Sequence, residues 1–148
     1  MDTTLAGTEL PQGPLVIIGH SGAFRTIVHW LLDPRVRRVI LLDGLYHMED
    51  EFDRWLRRSP RDHQLILVGQ ETVDQSERFL TRWPHAVRRE QVPEAVLEFT
   101  RRERTAHLIY LRSQYEHMEI VNGQKVIPLL LMLMPLVSVA CGEASWPP

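Results

Sequence analysis

"VIIGHSGA", residues 16–23, changes its pattern in mid-course. Leu15 to Ile18 form a short, unbroken apolar run, as expected of a strand covered on both faces. From Gly22 onward the period is helical, because Phe24, Ile27, Val28, Leu31 and Leu32 fall on one face. Asp33-Pro34 then stops the helix. A buried strand that ends at a serine and turns at once into a helix has the shape of a nucleophile elbow. Ser21 stands at its apex, between Gly19-His20 and Gly22-Ala23.

The rest of the chain repeats the strand–helix alternation. Val39 to Leu42 is a second apolar run, stopped by Asp43-Gly44, and Leu65 to Val68 is a third, closed by Gly69. Leu108 to Leu111 is the fourth. Between them, helical spacing falls around Phe52, Trp55 and Leu56, and again from Asp74 to Arg82 with Phe79 and Leu80 turned inward. Pro93 is expected to open a further helix with Val96 and Leu97 facing the core. A polar loop from Arg112 to His117 leads to an apolar terminal helix beginning near Pro128. Short, wholly apolar strands alternating with helices call for a mostly parallel sheet of four strands with helices on both faces, a three-layer α/β domain. The expected organisation is a loosely ordered segment over 1–13, one domain over 14–135, and an irregular tail over 136–148.

Bulk properties narrow the function. A chain of 148 residues, 44% hydrophobic and 24% charged, fits a single globular domain. Its formal charge of −2 supplies no field for nucleic acid or anionic lipid. Lys125 is the only lysine, and pairs such as Arg57-Arg58 and Arg88-Arg89 have acidic neighbours, as solvated faces do. Cys141 is the only cysteine, so neither an intramolecular disulfide nor a Cys-rich metal site is possible. That composition fits a reducing compartment. Met1 to Pro14 lacks the basic start and apolar run of a secretory signal, and a cytoplasmic location is expected. Val126 to Gly142 is uncharged but holds Pro128 and Pro135 and is slightly short for a membrane span; a buried helix is expected there.

Functional groups in open parallel sheets gather at the carboxyl ends of the strands. Here those ends carry His20-Ser21, Asp43, the segment from Gly69 to Asp74, and His117. A serine hydroxyl is a weak nucleophile at neutral pH; it needs a histidine to accept its proton and a carboxylate to orient that histidine. Ser21 is the candidate nucleophile and His117 the candidate base. His47 competes for the second role, while His20 is expected to shape the elbow. The acid has three candidates: Asp43 at the end of the second strand, Asp74, and Glu71. Asp74 with Glu77 also reads as a helix N-cap and its reciprocal partner. The Gly22 N–H, at the start of the helix, is placed to stabilise an oxyanion. No metal-ligand spacing occurs, so neither a metal nor a cofactor is expected.

Four stretches together carry a family resemblance: "VIIGHSGA", "VILLDGLY" (39–46), "LILVGQETVDQSERF" (65–79) and "YLRSQYEHMEIV" (110–121). Over residues 14–134 the chain resembles the C-terminal half of an α/β-hydrolase-fold protein, from the nucleophile strand onward. The resemblance implies metal-free esterase, lipase or peptidase-like chemistry on a small ester or amide. Ala23 stands where the family's elbow ends in glycine, and it is small enough for close strand–helix packing. The family's upstream strands and its second oxyanion donor have no counterpart before Leu15, which leaves Leu15–Ile18 as a sheet edge of interior composition. Three explanations follow: a fragment of a longer gene product, pairing of this edge with another copy, or a noncatalytic remnant acting as an interaction module.

Overall fold

The computed structural model describes residues 12–134. Most of the expected N-terminal segment, the tail over 136–148 and Cys141 lie outside the described residues.

Five strands form one all-parallel sheet: β1 (Leu15–His20), β2 (Val36–Leu42), β3 (Gln64–Gly69), β4 (Val87–Arg89) and β5 (Leu108–Arg112), in the spatial order β1-β2-β3-β5-β4. The fifth strand, β4, corrects the expected count of four. Val87-Arg88-Arg89 has no apolar run because it lies on the outer edge and pairs only with β5. Its arginines keep that edge charged, a common protection against edge-to-edge pairing.

The helices are α1 (Phe24–Trp30), α2 (Glu49–Arg58), α3 (Val73–Leu80), α4 (Arg101–Arg104), α5 (Glu119–Asn122) and α6 (Val126–Met132). Side chains alternate across each strand and so divide the core in two. Val39, Leu41, Leu65, Leu67 and Tyr110 meet Phe24 and Ile27 of α1, Phe52, Trp55 and Leu56 of α2, and Phe79 and Leu80 of α3. Ile40, Leu42, Ile66, Val68, Ile109 and Leu111 meet Val92, Phe99, Ile120 of α5, and Val126, Leu129 and Leu130 of α6. The chain steps from β1 to β3 with α1 and α2 on the first face. After β4 it reverses direction, and Val92 and Phe99 pack on the second face. A single connection hand requires that change of side.

Three local expectations are corrected. The segment after Pro93 makes only a 3-10 turn, Val96–Glu98, and Leu97 is 84% exposed rather than inward. A three-residue turn cannot bury both Val96 and the next residue. The helix expected from about Asp74 begins at Val73, but its cap position is Thr72 and not Asp74, which lies inside the first turn and is exposed. Leu32, placed on the apolar face of α1, lies past the helix end and is exposed.

The two sheet edges differ. The four apolar residues of β1 are each only partly buried, and its outer edge is unpaired among the described residues. No charge or proline interrupts it between Leu15 and His20. No helix among the described residues is long and apolar enough to cross a membrane.

Candidate active site

The elbow is set by close packing behind it. A Cβ on Gly19 would collide with Ile27 Cδ1 of α1 and lie 2.9 Å from the Ala23 Cβ. Glycine at 19 and a small residue at 23 let the helix start directly over the strand. Ser21 follows in the left-handed region, φ 53°, within a 3-10 turn over Ser21–Ala23 that leads into α1. That conformation costs a non-glycine residue about 1–3 kcal/mol, and the packing on both sides holds it there. The loop after β2 meets it closely: a Cβ on Gly44 would lie 3.1 Å from the Ser21 carbonyl oxygen.

Asp43 directly follows β2, with φ 45°, and is 0% exposed. Its carboxylate is held from the next loop. The Gln70 and Thr72 N–H groups and the Thr72 hydroxyl donate to Oδ1, each at 2.9 Å, and the Glu71 N–H donates to Oδ2 at 3.0 Å. Oδ2 also accepts a 2.7 Å hydrogen bond from His117 Nδ1. Burial alone pushes the Asp43 carboxyl up. The Gln70 N–H, the His117 ring and the Glu71 and Thr72 N–H groups outweigh it and hold the carboxyl below its ordinary value. A buried carboxylate with this many donors stays ionised and fixed.

His117 is brought in by the loop after β5. In the neutral ring, Nδ1–H donation to Asp43 leaves the lone pair on Nε2, which is the tautomer a general base requires. His20 supports the same loop. Its Nε2–H donates to the His117 carbonyl oxygen at 3.1 Å, and the two rings lie with centroids 4.4 Å apart, tilted by 40°. Among the described residues no hydrogen bond joins Ser21 to His117. The Ser21 side chain instead lies beside the Tyr46 hydroxyl, which donates to Glu71 Oε2 at 2.7 Å. Burial, the Glu71 contact and the Asp43 charge all push the Tyr46 phenol well above its ordinary range, so it keeps its proton.

Of the candidate acids, Asp43 alone is bonded to His117. Glu71 stands 3.8 Å from Nδ1, exposed and engaged by Tyr46, whereas Asp74 has no hydrogen bond to the site among the described residues. His47 is exposed and presents its ring edge to Phe24 at 6.2 Å rather than meeting Asp43. Gly22 is exposed at the turn.

Three residues escaped the sequence reading as contributors. Thr72, Gln70 and Tyr46 all shape the site, and only Thr72 had a signal, three residues after Gly69 at the end of a buried strand. The geometry also gathers potential metal ligands: one donor atom each from Asp43, Glu71 and His117 lies within 4.8 Å of the others. With both Asp43 oxygens accepting hydrogen bonds from the protein, the donor set fits an oriented imidazole better than a metal cage.

Comparison with known proteins finds no matching family, no matching curated protein and no matching solved structure.

Proposed function

We propose that the chain is the C-terminal half of an α/β-hydrolase fold and that its sheet end is a serine-hydrolase site. One observation carries the reading: His117 is held by a buried, fully hydrogen-bonded Asp43 at 2.7 Å, at the same sheet end as a strained serine. Ser21 Oγ attacks the carbonyl carbon of a small ester or amide, and His117 Nε2 accepts the hydroxyl proton. The imidazolium, stabilised by Asp43, then gives that proton to the leaving alcohol or amine. Water repeats the sequence on the acyl-serine and releases the acid. The Gly22 N–H supplies one oxyanion donor. In unliganded sites the contact between nucleophile and base is commonly long and tightens on substrate. The test is ester hydrolysis: a rate above background that Ser21→Ala and His117→Ala both abolish supports the reading.

A second reading is favoured by the missing Ser21–His117 bond and the bare β1 edge. In it the chain is a noncatalytic hydrolase-like module, and the β1 edge pairs with a strand of another copy. A folded protein with no hydrolysis above background supports this reading. For either one we infer a cytoplasmic setting, on the single cysteine.

A further inference from the structure

A half-open cavity of about 440 Å³ lies at the amino ends of the strands. Arg38 of β2, Arg61 before β3 and Arg104 before β5 line it, with Leu133 and Met134 forming an apolar wall. β2, β3 and β5, which carry the cavity, are parallel and five to seven residues long. The Ser21 end is therefore about 20 Å away at the strand rise.

Three arginines line the cavity against a single carboxylate, Asp62. Arg38 and Arg61 pair with no carboxylate among the described residues. The Arg38 Nε is buried and has no hydrogen-bond partner among the described residues. Burial depresses the Arg38 guanidinium from its ordinary value, a sign of desolvation without compensation. Arg104 directs Nε and Nη2 to the Phe99 and Val96 carbonyls, which position it and leave its charge unneutralised. The one acid on the wall, Asp62, accepts from Ser59 Oγ at 2.9 Å and faces Arg37 at 3.7 Å. The Nε is closed to solvent, but the outer nitrogens of the Arg38 guanidinium are open and unpaired among the described residues, and an oxyanion is the partner that such a planar fork fits.

We propose that this cavity is a binding site for a small organic anion, anchored by Arg38 and Arg61 and with its carbon skeleton against Leu133 and Met134. The ligand class is a phosphate or carboxylate on an apolar body. The site is separate from the proposed hydrolytic site and stands whether or not Ser21 is reactive.

Amide NMR titration with phenyl phosphate and with benzoate, at matched ionic strength, tests the site. The expected result is saturable shifts at Gln64, Ala106 and His107. Arg61→Gln, on an exposed residue, should weaken binding about tenfold. Arg38→Gln should weaken it at least as much, and the tighter probe identifies the head group. The proposal is overturned if neither probe gives saturable shifts up to about 10 mM, or if the folded Arg61→Gln protein binds as the parent does.

Discussion

Asp43 Oδ2 and His117 Nδ1 lie 2.7 Å apart although 74 positions separate them in the chain. The parallel register joins them: Leu42 stands opposite Val68, and Val68 opposite Leu111. The loops leaving β2, β3 and β5 therefore emerge side by side. Asp43 is held from the middle loop and holds the outer one.

Removing that carboxylate has two consequences. Asp43→Asn presents an amide N–H₂ to donors that need an acceptor, and it should cost about 2 kcal/mol of stability, read from denaturant unfolding. If the site is hydrolytic, kcat should fall by about a thousandfold or more, because His117 loses its preferred tautomer.

Acid should destabilise the fold partly through this residue. Folding lowers the Asp43 carboxyl below its ordinary value, so near that value the unfolded chain binds more protons than the folded one. The associated stability is complete well above about pH 4. It is lost as pH falls through the lower, folded-state value. Glu103, brought to about 2 by its Arg89 hydrogen bonds, acts in the same direction. Unfolding midpoints measured from pH 7 to pH 2 should fall on acidification, with a smaller slope in Asp43→Asn.

His20 is a positioning residue for His117. His20→Phe retains a ring against the imidazole but loses the bond to the His117 carbonyl oxygen. If the site is hydrolytic, kcat should fall about tenfold with KM little changed. His117→Ala combined with His20→Phe should show no further loss, as expected if His20 acts only through His117.

Gly19→Ala should destabilise the elbow by about 1–3 kcal/mol, since its methyl group would enter the space of Ile27 and Ala23. The double variant Gly19→Ala with Ile27→Val should recover part of that loss, because the collision involves the Ile27 Cδ1. Thermal unfolding of the three proteins checks both statements.

The parts of this arrangement that were legible in the sequence are the buried ones. Leu65–Val68 and Leu108–Leu111 read as strands because both faces of the sheet are covered there. The elbow read clearly because Gly19, Ser21 and Ala23 answer a local packing demand. β4 was not legible: two of its three residues are arginines, and its pairing partner, β5, lies about twenty positions later. The acid stayed open between Asp43, Glu71 and Asp74 because each follows a buried strand. The bonds from Gln70, Glu71 and Thr72 to Asp43 depend on which loops are neighbours in space. Tyr46 had no signal for the same reason.

The central claim is that Ser21 is a nucleophile served by His117. Treatment of the folded protein with a fluorophosphonate, followed by peptide mass spectrometry, tests it most directly. The account predicts one phosphonyl adduct, on Ser21, formed much more slowly in His117→Ala. A folded protein that acquires no adduct at Ser21 contradicts it.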